Sequence, residues 1–200
     1  MNYKQLLKPE SMAVIGVSLH NNRHPANIVY RKNRLRYPVK VFAVNPRGGD
    51  IQGERLYERP EDIPEKVDLA VIAVRADLVP DTMAQCISAG MGGAVIISGG
   101  FAEVGQRELQ DRLVKMAREA DFPFVGPNCL GIFSPGRVDT FFLPPERTVR
   151  PESVMWRWSA RAVVCWWTKW LISRAKGWGC HWELVSATRP WWMRWRCLNI

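Results

Sequence analysis

Ser11-Met12-Ala13-Val14-Ile15-Gly16-Val17-Ser18 is the stretch on which the fold turns. A short, mostly apolar run ends in a glycine turn, as a strand buried on both faces does when it hands over to a helix. A helix is predicted from about Pro25 to Asn33, and Val39-Lys40-Val41-Phe42-Ala43-Val44-Asn45-Pro46 reads as a second strand, closed by Asn-Pro and then Arg47-Gly48-Gly49. Asp68-Leu69-Ala70-Val71-Ile72-Ala73-Val74 is the third strand, followed by a helix from about Val79 to Ala89. Gly93-Ala94-Val95-Ile96-Ile97 is the fourth, leading into Ser98-Gly99-Gly100-Phe101 and an amphipathic helix from about Gln106 to Ala120. Phe122-Pro123-Phe124-Val125 is the fifth, broken by Gly126-Pro127-Asn128.

Strands separated by helix-length segments imply right-handed crossovers, hence an α/β, Rossmann-like, doubly wound parallel sheet of about five strands. Such sheets bind ligands at the carboxyl ends of their strands, beside the switch in strand order. Those ends carry Gly16-Val17-Ser18, Asn45-Pro46-Arg47, Val74-Arg75, Ser98-Gly99-Gly100 and Gly126-Pro127-Asn128. Glycine at a strand end serves either a plain chain reversal or the close approach of backbone to a ligand, and amides at a helix start hydrogen-bond phosphate. A nucleotide-like, phosphate-bearing ligand is the expectation. NAD is disfavoured, because Gly16-Val17-Ser18-Leu19-His20 lacks the G-x-G-x-x-G spacing and Asn45 and Arg47 stand where an acidic residue would hold the ribose. Arg47, Arg23 and His24 are candidates for a phosphate contact, each with a solvated surface cation as the alternative.

Residues 1–152 hold 20 Lys/Arg against 18 Asp/Glu, whereas residues 153–200 hold 8 basic residues against the single Glu183. The basic character therefore belongs to the tail, and the organised part lacks the clustered basic patch with aromatics that nucleic-acid binding requires. Cys86 and Cys129 form neither a metal-ligand spacing nor a disulfide framework, and no signal peptide or long apolar run is present, so a soluble cytoplasmic protein is expected.

In order and spacing, Ala13-Val14-Ile15-Gly16-Val17-Ser18, Val44-Asn45-Pro46, Ile63-Pro64-Glu65-Lys66-Val67-Asp68, Ile97-Ser98-Gly99-Gly100-Phe101-Ala102-Glu103 and Gly126-Pro127-Asn128-Cys129-Leu130-Gly131 resemble a known family. It is the CoA-binding domain of ADP-forming acyl-CoA synthetases, related to the α subunit of succinyl-CoA synthetase. The resemblance covers roughly Lys8 to Pro145 and implies a coenzyme A site on the strand ends. Gly16, Val17 and Ser18 match the family's first CoA loop, Pro46 and Arg47 the turn and basic position after the second strand, and Val74 and Arg75 the turn beside the adenine. Ser98, Gly99 and Gly100 match the loop along the pantetheine arm, and Asn128 and Cys129 the segment near the thiol. Arg75 replaces a usual proline.

The resemblance further implies that ATP and ADP act only through domains beyond this one, with an ATP-grasp β subunit or domain as partner. The family's phosphorylated histidine comes from a later domain, and His20, His24 and His181 do not match it, so no catalytic residue is assigned. Cys129, without a partnered base, reads as a small structural thiol. The expected function is the CoA-binding domain of an acid-thiol ligase, not catalytic alone. A stand-alone CoA-binding regulatory module and an NAD-sensing domain are the alternatives.

All ten tryptophans lie from Trp156 to Trp195. The domain is therefore expected over 1–150, with an irregular, poorly ordered Trp/Arg-rich tail over 151–200. Tryptophan and methionine have one codon each, and reading one base earlier turns Trp156, Trp167 and Trp192 into valine, Thr168 and Met193 into aspartate, and Gly179 and Glu183 into glycine. Trp156 to Val163 then permits Val-Ala-Leu-Val-Ser-Gln-Ser-Gly, the segment the family carries next. A single frameshift between about Arg150 and Met155 is the expectation. A genuine membrane-interface segment is the competing one, weakened because the tryptophans keep no single helical face.

Overall fold

A computed structural model describes residues 4–143, 179–182 and 195–198. The chain divides into two compact units, Met1–Ala160 and Arg161–Ile200.

In the first unit, strand β1 (Ser11–Ile15) is buried along its whole length and occupies the middle of a seven-stranded sheet. It pairs in parallel with β2 (Lys40–Val44) on one side and β5 (Leu69–Ile72) on the other. β6 (Ala94–Ile96) and β7 (Phe124–Val125) extend the sheet in parallel beyond β5. These are the five strands expected from the sequence. Two more, β3 (Asp50–Ile51) and β4 (Glu54–Tyr57), form a hairpin, with β4 lying parallel to β2 and β3 antiparallel to β4 at the edge. Its turn places Gln52 at φ 54° and Gly53 at φ 77°, the two positive values of the tight hairpin turn that follows strand twist.

A short helix, α1 (Lys4–Leu7), precedes β1. Helix α2 (Pro25–Arg36) connects β1 to β2; Pro25 sits in its first turn, and it ends at Tyr37, before Pro38. It runs three residues past the predicted end at Asn33, and Lys32 and Asn33 within it are buried. Lys32 Nζ donates to Asp139 Oδ1 at 2.8 Å and to the Phe141 carbonyl, while Asn33 exchanges two hydrogen bonds with the Asp139 backbone. Asp139 belongs to the small antiparallel pair β8 (Phe133–Ser134) and β9 (Val138–Asp139), which this network fastens to α2. Helices α3 (Val79–Ser88) and α4 (Arg107–Glu119) connect β5 to β6 and β6 to β7. Val79, Met83 and Cys86 of α3 and Leu113 and Ala117 of α4 share one core cluster with Ala13, Ile15, Ala70, Ile72, Ala94 and Ile96. Burial pushes the Cys86 thiol up to about 12, which fits an inert packing residue.

In the second unit, β10 (Gly179–Trp182) pairs antiparallel with β11 (Trp195–Leu198). The rest of the tail, and with it the predicted boundary at residue 150, lies outside the described residues. Among the described residues no helix is long and apolar enough to cross a membrane, and no cluster of potential metal ligands occurs.

Candidate functional site

The chain leaves β1 toward β2 on one side of the sheet, while β5 flanks β1 on the other, so the switch in strand order falls between β1 and β5. At that point Gly16 has φ 94°, and a Cβ on it would overlap the Ala73 carbonyl oxygen. Only glycine lets the two strand ends meet so closely.

From there the strand-end loops join into one row. Asn45 Nδ2 donates to the Val17 carbonyl at 2.6 Å, and Asn45 Oδ1 accepts from the Arg47 amide at 2.8 Å, which ties the β2 end to the β1 end. On the other side a Cβ on Gly100 would lie 3.0 Å from Ala76 Cβ, so the β6 loop abuts the turn after β5. The Asn128 amide donates to the Ser98 carbonyl at 2.9 Å, bringing in the β7 end. Gly16, Val17, Ser18, Pro46, Arg47, Val74, Arg75, Ser98, Gly99, Gly100, Asn128 and Cys129 thus fall along one edge of the sheet. Arg47 is exposed there, as are Arg23 and His20 of the first loop. Arg75 is exposed and turned onto Asp77, its Nη2 lying 2.6 Å from Oδ2. Cys129 Sγ lies 3.3 Å from the Ile96 carbonyl and 3.8 Å from that of Val125, a thiol held by backbone acceptors.

One expectation needs correction. Amides around the first loop and helix start were candidates for phosphate, but most already have protein acceptors. Gly16 and Val17 donate to the Val44 carbonyl, Ser18 to Asn27 Oδ1, and His20 and Asn21 to Ser18 Oγ. Arg23 donates to Asn21 Oδ1, His24 to the Asn21 carbonyl and Ala26 to His24 Nδ1, while Pro25 has no N–H to offer. Burial lowers the His24 pKa, in keeping with a ring nitrogen that accepts rather than donates. A phosphate here therefore has to be met mainly by side chains.

Two residues that the sequence reading missed hold this edge in shape. Asn27, fully buried, accepts from the Ser18 amide and donates to the Ser18 carbonyl, both at 2.7 Å. Glu103 Oε1 accepts from the Gly100 amide at 2.6 Å, and that bond, followed by the Glu103 and Phe101 amides, holds its carboxyl below the usual carboxylate range. The sequence signals for Glu103 were its place three residues after a glycine turn and at the end of the motif of residues 97–103, where no role was assigned to it. Asn27 gave none, since an asparagine in a first helical turn reads as solvated.

Comparison with known proteins shows the family and the fold. The profile of a family described as "CoA binding domain" matches residues 10–135. ADP-forming acetate–CoA ligase II of Archaeoglobus fulgidus is 36% identical over 146 residues, covering 71% of this chain and 22% of that protein. The α subunit of ADP-forming acetate–CoA ligase I of Pyrococcus furiosus is 32% identical over 153 residues, covering 73% and 33%. The structure of acetyl-coenzyme A synthetase 1 of Ca. Korarchaeum cryptofilum, in complex with phosphate and ADP, superposes with a TM-score of 0.67 at 33% identity, covering 72% of this chain and 31% of that one. The chain thus spans about a fifth to a third of the length of these relatives. Matched by the profile over more than half its residues, the chain belongs to the CoA-binding domain family.

Proposed function

We propose that this chain binds coenzyme A along the carboxyl edge of its sheet, as the CoA-binding part of an ADP-forming acyl-CoA synthetase. The observation that carries the reading is the continuous row of strand-end loops, which bears Arg23 and Arg47 at one end and no cation in its β6 and β7 loops at the other. Arg47, with Arg23, supplies the side-chain cations that a phosphorylated nucleotide needs once the loop amides are occupied. Gly99 and Gly100 offer bare backbone for an extended arm, which runs toward Asn128 and Cys129. NAD fits less well, because both ends of the Asn45 side chain are already engaged and Asn45 and Arg47, not an acidic residue, follow the second strand where the ribose partner would stand.

In this reading the residues of this chain bind and orient the thiol substrate; acid activation and ADP formation belong to other domains or to an ATP-grasp partner. Calorimetric titration of the full chain with CoA and with NAD tests it. CoA is expected to bind at least about tenfold more tightly, with affinity falling as salt rises because cationic side chains meet its phosphates. NAD binding as tight as CoA would reverse the assignment in favour of a nucleotide-sensing domain.

A further inference from the structure

Of the thirteen glycines whose surroundings are described, twelve are required by the backbone. Ten have positive φ, and at Gly92 and Gly93 a Cβ would lie 2.7 Å and 2.6 Å from a backbone carbonyl oxygen. Gly99 meets neither condition. Its φ lies outside the left-handed range, and the nearest neighbours of a Cβ built on it are side-chain atoms rather than backbone: Asn128 Oδ1 at 3.3 Å, Glu103 Oε1 at 3.4 Å and Asn128 Cγ at 3.6 Å. Gly99 is exposed, so the space between those two oxygens opens to solvent at the centre of the β6–β7 end of the site. A side chain here would press on two side-chain oxygens instead of on backbone.

Two side-chain oxygens facing one gap make a receptor for a hydrogen-bond donor. Glu103 Oε1 accepts from the Gly100 amide and, as an ionised carboxylate oxygen, can take a second donor from the ligand, while its negative charge rejects phosphate. We propose that the notch above Gly99 takes an N–H group of the ligand's arm between Asn128 Oδ1 and Glu103 Oε1, which makes these two side chains specificity determinants for an amide-bearing thiol arm. This rests on the reading of the chain as a CoA binder and adds the contact by which the uncharged arm is told apart from another phosphate.

The test titrates the full chain with CoA and with adenosine 3′,5′-bisphosphate, which keeps the nucleotide end and lacks the arm. Gly99→Ala places a methyl against the ends of two exposed side chains, which can shift by a few tenths of an ångström, so its urea midpoint should stay close to the wild-type value. It is expected to weaken CoA at least about tenfold and to leave the bisphosphate within about twofold. Glu103→Gln keeps an oxygen for the Gly100 amide and removes the charge, and is expected to weaken CoA alone by about threefold. Variants that bind CoA like the wild type, or that lose both ligands in parallel, would overturn the notch. A wild-type chain that binds neither ligand would instead sink the CoA reading itself and the notch with it.

Discussion

A methyl group on Gly16 has nowhere to go. The residue holds φ 94°, and its missing Cβ would overlap the Ala73 carbonyl, part of the backbone of the neighbouring strand end, which cannot swing aside as a side chain would. Gly16→Ala combines left-handed strain with a clash between two central strand ends. It is expected to cost about 2–4 kcal/mol of stability, read as a lower urea midpoint for the full chain; an unchanged midpoint would mean that β1 and β5 do not meet as described. Gly99, with its open notch, is the contrasting case, where the same substitution should spare stability and strike binding. Which glycine serves the fold and which the ligand is not written in the sequence, because both end a strand and differ only in what faces the absent Cβ. Asn27 was hidden for a related reason: its two bonds to Ser18 span nine residues and the strand-to-helix turn, a distance at which no local pattern signals a contact.

Among the elements, the parallel strands were legible because each is a short apolar run ended by glycine or Asn-Pro, and helices α3 and α4 because their buried positions keep a helical period. The β3–β4 hairpin was not, since it buries only Ile51 and Leu56 in full and turns on Gln-Gly rather than the commoner Asn-Gly. The last turn of α2 was missed because Arg34, Leu35 and Arg36 are exposed and carry no buried period, while inside the helix a polar residue is buried instead of solvated. Lys32 is 6% exposed and Asp139 0%, so the ammonium and carboxylate face each other away from water. Asp139→Asn takes the carboxylate away from a buried ammonium and is expected to cost about 3 kcal/mol. The double variant Lys32→Met with Asp139→Asn should lie closer to the wild type in chemical unfolding, because no charge is then stranded. The consequence reaches the site, since Thr140, next to Asp139, bonds through its Oγ and amide to Ile132, just beyond the Asn128-Cys129 loop. If Asp139→Asn unfolds at the wild-type midpoint, the pair is not what fastens β9 to α2.

For the chain as a whole, the decisive asymmetry is chemical rather than geometric. Residues 1–152 balance 20 basic against 18 acidic side chains, whereas residues 153–200 carry 8 against 1 together with every tryptophan. A domain that selection has kept soluble and packed mixes its charges and spaces its aromatics, and the abrupt loss of both habits at one point is what a change of reading frame produces. We propose such a slip between about Arg150 and Met155. The expected result is concrete: the nucleotide sequence around codons 148 to 156, redetermined from genomic DNA, contains a one-base departure, and the restored frame reads Val-Ala-Leu-Val-Ser-Gln-Ser-Gly from position 156. That segment is apolar for four residues and then polar and glycine-ended, the same strand-into-loop grammar as Met12 to Ser18, whereas the present residues 156–163 break it with Arg157 and Arg161. The competing account, a tail selected to lie in a membrane interface, predicts an intact frame and a full chain that floats with anionic vesicles but not with neutral ones. An intact frame would end the frameshift proposal whatever the vesicles do, and would leave the CoA reading of residues 10–135 untouched, because none of the residues assigned to that site lies beyond Cys129.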